Sequence, residues 1–256
     1  MTARIVGLWR YPVKGLGGES LAQIEVDRVA GVLGDRRFAL RHDGSAYDEA
    51  APAWRPKAEF LQLARDPGLA PLHAHYEPEA DQLTLIGAFG LGPSARGCPA
   101  FAADRAMLEA FVASQAVLPR RAGHTLVQCD GTIFSDTGRP VVSIVSTETV
   151  RALAEAAGCP LDIRRFRGNL VIDGGEPWAE FDWVGRKLWV GSVLLRPVER
   201  IGRCAATSVD PATGKVAPEL PRLLRDRFGH ADCGVYAEIL TRGRISLGNG
   251  LTPASD

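Results

Sequence analysis

Hydrophobic positions along the first hundred residues come in short runs that alternate with polar ones and are cut by Gly, Pro and Asp: "RIVGLWRY", "SLAQIEVD", "RFAL", "EFLQLA" and "LTLIG". A period of two marks a half-buried strand, so each run predicts a β-strand. "YEPEADQLTLIG" predicts a hairpin, and the Gly/Pro-rich "GAFGLGPSARGCPA" predicts a connection that closes a first domain near residue 98. The period then changes. Across residues 102–117, Met107, Leu108, Phe111 and Val112 recur at helical spacing behind Asp104 as a candidate N-cap. "STETVRALAEAAG" predicts a second helix, capped by Ser146 or Thr147 and ended by Gly158. Strand patterns return in "NLVIDG", "KLWVGSVLLRPVER", "VYAEIL" and "GRISLGN". Few helices among many strands predict a barrel or α+β chain, not alternating βαβ units.

Composition narrows the function classes. The chain's 256 residues suffice for one large or two small domains with a core that needs no staples. Lys+Arg and Asp+Glu balance at 30 each, which argues against a non-specific nucleic-acid binder. No apolar run approaches the roughly 20 residues that cross a bilayer, and "MTARIVGLWRYPVKG" lacks the pattern of a secretory signal, so a cytoplasmic protein without a membrane span is expected. The five cysteines are odd in number, widely spaced and form no C-x-x-C pair, which suggests neither a disulfide framework nor a structural zinc site.

Familiar catalytic signatures are missing: there is no G-x-x-x-x-G-K-[ST], no G-x-G-x-x-G between strand and helix, no H-E-x-x-H and no G-x-S-x-G. "GLGGES" precedes a strand and reads as a turn. The five histidines show no ligand spacing, since His73 and His75 share one strand face but find no third partner. What remains is a set of polar segments at strand ends. "YPVKG" supplies Lys14, "GDRRF" supplies Arg36 and Arg37, and "FSDTGRP" supplies Ser135, Asp136, Thr137, Gly138 and Arg139. "RRFRGNL" adds Arg164, Arg165, Arg167 and Asn169, and "GRCAATSVDPATG" adds Arg203, Cys204 and Thr207. Arginine forks and turn N–H groups suit a polyanionic ligand; the plainer reading is arginines solvated or paired with carboxylates. Cys204 has two readings as well. It is either a small buried hydrophobe or, beside Arg203, a thiolate able to bind a soft metal or attack an electrophile.

Taken in order, these segments resemble the MOSC family, named for the C-terminal domain of molybdenum-cofactor sulfurases, and within it the branch of the mitochondrial amidoxime-reducing components and their bacterial relatives. "YPVKG" is similar to Y-P-V-K-S/G, "GDRRFAL" to a D-R-aromatic segment, and "FSDTGRPVVSIVSTETVRALA" to S-D-T/A-x-P followed by apolar residues and a helix. "FRGNLVIDG" is similar to F-R-P-N-x-V-I and "GRCAATSVDPATGK" to S-R-C-x-x-T-T-V-D-P-x-T-G. The resemblance implies a β-rich α+β fold: a MOSC-type β-barrel with a few helices over residues 99–256, behind an N-terminal MOSC-associated β-rich domain over residues 1–98. It implies the molybdenum cofactor, Mo-molybdopterin, a pterin dithiolene ending in a phosphate, with Cys204 as a molybdenum ligand. Lys14, Gly15, Arg36, Arg37, Thr137, Gly138, Arg167, Asn169, Arg203 and Tyr236 would contact the cofactor, and Asp136 would relay protons beside the metal. No pyridoxal phosphate site is expected. The activity implied is reduction of N-hydroxylated substrates (amidoximes, hydroxylamines, hydroxamates), and the alternative is a cofactor carrier or sulfur-transfer module using the same cysteine. No cysteine cluster suits a [2Fe–2S] centre, so electrons would come from a separate ferredoxin, flavoprotein or cytochrome. Two departures bear on the substrate: the T-A-R motif is replaced by "SAYDEAAPAWRPKAEF", and "FRGN" replaces "FRPN".

Overall fold

The computed structural model describes residues 3–87, 92–116, 118, 123–129 and 134–254. The first half holds β1 (Ala3–Arg10), β2 (Glu19–Ser20), β3 (Gln23–Asp27), β4 (Gly31–Val32), β5 (Phe38–His42), β6 (His73–Glu77), β7 (Gln82–Ile86), β8 (Ser94–Gly97), α1 (Ala102–Gln115) and β9 (His124–Gln128). The second holds β10 (Val141–Ser146), α2 (Thr147–Ala157), β11 (Leu170–Asp173), β12 (Leu188–Val190), β13 (Val193–Gly202), α3 (Leu220–Phe228), β14 (Asp232–Ile239), β15 (Gly243–Ser246) and β16 (Gly250–Pro253). The fold is α+β and dominated by strands.

Seven of the eight strands in the main sheet close on themselves. They run β11-β10-β14-β13-β12-β16-β1, β1 pairs back onto β11, and β2 extends β1. Closure leaves no free edge in the ring. Every pairing is antiparallel except β10 with β11, whose parallel crossover is made by α2. Alternation fills the barrel: Ile5 and Leu8, Val142 and Ile144, Leu170 and Ile172, Val235 and Ala237 share one core. β3 pairs with β4 and β15, and Ile24, Val26, Val32 and Ile245 add to that core.

A second core lies beside the first. The β6-β7-β8 sheet, the β5-β9 ribbon and α1 bury Phe38, Leu40, Leu83, Leu85, Leu108, Val112 and Leu126 together. Val13 and Leu16, just past β1, and Val209, past β13, are buried in this second core. The Lys14 N–H donates to Phe38 O at 2.8 Å and the Gly17 N–H to Leu72 O at 2.7 Å. The chain leaving the end of the barrel is thereby stapled to the neighbouring unit, and the seam between them is where the polar segments meet.

Several local expectations change. "EFLQLA" is not a strand: Lys57–Glu59 is a 3₁₀ turn and Phe60 makes a single bridge to Arg41. Its alternation reflects Phe60 and Leu61 reaching two different clusters. Asp104 lies inside α1 and accepts the Cys98 N–H at 2.8 Å, while Phe101 occupies the cap position. Ser146 caps α2 by accepting the Glu148 N–H, and Gly158 ends it at φ 66. α3 has no counterpart in the sequence reading, because its stripe contains only Leu220 and Leu224 as buried residues. Among the described residues no helix is long and apolar enough to cross a membrane.

Candidate functional site

A cleft with an empty volume of about 970 Å³, open mouth included, lies at the seam. Ten of the expected residues line it: Lys14, Gly15, Arg36, Asp136, Thr137, Arg167, Asn169, Arg203, Cys204 and Tyr236. They come from the end of β1, the turns before β5 and β10, the segment before β11, the end of β13, and β14.

Cys204 is set by the way β13 ends. The ladder to β14 is irregular between Arg200 and Gly202, and the chain then turns into a 3₁₀ segment, Ala205–Ser208. The Cys204 carbonyl accepts the Thr207 N–H at 3.1 Å and the Thr207 hydroxyl at 2.9 Å. Those two bonds fix the backbone of the partly buried Cys204, which lines the cleft with no disulfide partner. Arg203 is clamped by carbonyls: Nε donates to Cys233 O at 2.7 Å and Nη1 to Phe166 O at 2.8 Å. Carbonyls satisfy hydrogen bonds without cancelling charge, so the guanidinium remains a cation beside Cys204. Gly234 makes room for it, since a Cβ there would lie 3.2 Å from Arg203 Nη2 and 2.4 Å from Ile144 O.

Lys14 is buried, and its Nζ donates to Phe134 O at 2.9 Å and Asp136 Oδ1 at 2.7 Å. Burial pushes the ammonium pKa down, against the opposing pull of Asp136. Burial works to raise the Asp136 carboxyl, but Lys14 and then Arg36 outweigh it and hold that carboxyl at about 2. Arg36 is paired with Asp35 and reaches Arg167 O at 3.3 Å. Arg36 and Arg167 both lie over the Tyr11 ring, 5.0 and 4.3 Å from its centroid. Burial, then the neighbouring Arg36, lowers Arg167 to about 10, which leaves it cationic at neutral pH. Tyr11 is pushed up to about 12 by burial and stays a phenol. Burial also raises Tyr236, with Arg203 opposing.

Asn169 serves the scaffold as well as the cleft. Its Oδ1 accepts the Ser143 hydroxyl at 2.7 Å and its Nδ2 donates to Trp9 O at 3.1 Å. Two expected residues are not brought in. The Arg37 guanidinium lies over Phe38 and Tyr76 and faces Asp81 at 3.8 Å, on the second unit and not in the cleft. Gly138 does not line the cleft; it is the small residue over which the Trp54 indole packs. The cleft also recruits Asp35, Lys57, Gln62, Ser143, Arg165 and Thr207. Arg165 and Thr207 lie in segments already singled out by sequence, whereas Gln62 sits in "EFLQLA", whose pattern pointed to a strand, and Lys57 in "SAYDEAAPAWRPKAEF", where the T-A-R motif is missing. Arg165 is committed to Asp210 at 2.8 Å and Ser208 O at 3.0 Å.

The arrangement can hold an anion with several cations and offer one thiol sulfur. Among the described residues no group of three or more His, Cys, Asp or Glu is placed to hold a metal ion. A metal at Cys204 would therefore arrive with other donors of its own.

Residues 2–114 match the MOSC N-terminal beta barrel domain and residues 132–252 match the MOSC domain. The chain is 26% identical over 243 residues to mitochondrial amidoxime-reducing component 1 of Homo sapiens, covering 85% of this chain and 69% of that protein. It is 34% identical over 97 residues to molybdenum cofactor sulfurase of Danio rerio, covering 36% of this chain and 11% of that protein. The solved YUAD protein from Bacillus subtilis is similar over 98% of this chain and 94% of its own, with a TM-score of 0.48 and 16% identity.

Proposed function

Because the chain belongs to the MOSC family, with a MOSC N-terminal beta barrel domain ahead of a MOSC domain, we propose that its cleft binds the molybdenum cofactor and that it reduces N-hydroxylated compounds: amidoximes, hydroxylamines or hydroxamates. The observation that carries this reading is one cleft lined by the Cys204 thiol together with Lys14, Arg36, Arg167 and Arg203. A thiolate is a soft donor suited to molybdenum, and guanidinium forks suit a phosphate. The donor set fits the group: one sulfur from the protein, cations for the anionic end, and the remaining metal donors from the cofactor's dithiolene. When bound, the cofactor supplies the two-electron redox chemistry.

In the conversion of an amidoxime the N–O bond breaks, and two electrons and two protons yield the amidine and water. The electrons come from a separate donor protein of ferredoxin, flavoprotein or cytochrome type. Asp136, held at about 2, is ionised at neutral pH and acts as an acceptor that orients substrate or water. Lys14 Nζ donates to that carboxylate at 2.7 Å and holds it in place. Tyr236 keeps its phenolic proton and offers an O–H donor on the cleft wall.

The likeness to a molybdenum cofactor sulfurase supports a second reading, in which Cys204 carries a persulfide or the cofactor in transit. Turnover of benzamidoxime by cofactor-loaded protein with a small-molecule reductant distinguishes the two. Turnover lost in Cys204→Ala supports the reductase; transfer of cofactor to an acceptor enzyme without turnover supports the carrier.

A further inference from the structure

The cations lining the cleft are mostly committed. Lys14 is paired with Asp136, Arg36 with Asp35 and Arg165 with Asp210, while Arg167 donates to Leu16 O at 2.6 Å and Arg203 to Cys233 O and Phe166 O. Lys57 differs. It is exposed, it lines the cleft, and among the described residues it makes no ion pair. Its charge still reaches the Asp136 carboxyl, where it adds to the lowering by Lys14.

Lys57 lies on "AWRPKAE", residues 53–59, which crosses the rim as a strap. Trp54 Nε1 donates to Ser135 O at 3.2 Å, the Ala58 carbonyl lies 2.8 Å from His42 Nε2, and Glu59 accepts the Ala46 N–H at 2.6 Å. Three anchors hold the strap, the first to the turn that carries Asp136 and the other two to the end of β5 and the loop after it. The fit is tight: a Cβ on Gly138 would meet Trp54 Cδ1 at 2.6 Å. Yet Trp54 is 47% exposed, so part of it stays open on the same strap that carries Lys57. Of the other charges here, Asp136 is held by Lys14, Arg139 is paired with Glu199, and Arg55 and Glu59 on the strap itself do not line the cleft.

Resting on the reductase reading, we propose that Trp54 and Lys57 are specificity-determining residues that select aromatic N-hydroxylated substrates bearing a carboxylate or similar anionic substituent. The cations deeper in the cleft serve the anionic cofactor and their own partners, so a substrate anion has Lys57 to meet at the mouth. An exposed indole and an exposed ammonium three residues apart on one strap match a ring with a negative substituent, and a flat aromatic partner loses little freedom on stacking. An exposed pair of this kind is modest in strength and is screened by salt.

The test compares kcat/KM for 4-carboxybenzamidoxime with that for benzamidoxime, using cofactor-loaded protein and reduced methyl viologen, so that docking of a protein donor plays no part. In Lys57→Met the ratio is expected to fall about three- to fivefold, and Lys57→Glu, which sets like charges together, lowers it further. A ratio unmoved by both variants overturns the proposal. If the wild-type protein turns over neither compound, the reductase reading fails, and binding alone decides the strap. Trp54 fluorescence, with Trp54→Phe as the blank, is then titrated with 4-carboxybenzamidine and with benzamidine. Tighter binding of the carboxylate in wild type that is lost in Lys57→Met upholds the site, and equal binding of the two compounds overturns it.

Discussion

Lys14 Nζ donates to Asp136 Oδ1 at 2.7 Å, joining a buried ammonium just past β1 to a rim carboxylate 122 residues along the chain. The folded carboxyl titrates at about 2 against an ordinary 3.8, so the folded protein binds this proton less readily than the unfolded chain. The stability the pair contributes is therefore complete above about pH 4 and is lost as the pH falls towards about 2. With the Asp136 side chain 56% exposed, that contribution stays under about 1 kcal/mol. Asp136→Asn is expected to flatten this part of the acid dependence, as read from urea midpoints taken across the window.

Asn169→Ala tests the scaffold beneath the cleft. The substitution leaves the buried Ser143 hydroxyl and the Trp9 carbonyl without their Asn169 partner. Stranded buried polar groups put the cost at about 2–3 kcal/mol. A lower urea midpoint at unchanged slope is the expected readout.

Gly234→Ala should be worse than its backbone angle alone implies. Gly229 has nearly the same φ, 78 against 79, but nothing lies within 4 Å of a Cβ there, whereas at Gly234 the Ile144 carbonyl is 2.4 Å away. Gly229→Ala is expected to cost about 1 kcal/mol and Gly234→Ala at least about 2 kcal/mol more. Gly234→Ala also displaces Arg203, so its cofactor content falls while that of Gly229→Ala does not.

The order of the polar segments was legible because each sits where a strand ends, and a closed barrel brings several strand ends to one rim. That is how Lys14, Arg36, Arg167 and Cys204, far apart in sequence, line one cleft. Side-chain direction was not legible. Arg36 takes φ 48 and turns into the cleft, while the next residue, Arg37, goes to Phe38, Tyr76 and Asp81. Nor could spacing show that Asn169 ties Ser143 to Trp9, or that Trp54 crosses to the Ser135–Gly138 turn, since both depend on register between distant segments. α3 escaped for a different reason: its nine residues are rich in arginine and offer a stripe of two leucines, too little periodicity to read.

Cys204 is proposed to hold a molybdenum cofactor in this cleft. Molybdenum and pterin content, measured on wild-type protein and Cys204→Ala purified from a cofactor-competent host, tests it most directly. Wild-type protein is expected to carry stoichiometric molybdenum with pterin, and Cys204→Ala to lose the metal at an unchanged urea midpoint. Wild-type protein with neither metal nor pterin, or a Cys204→Ala variant that keeps its full molybdenum, would contradict it.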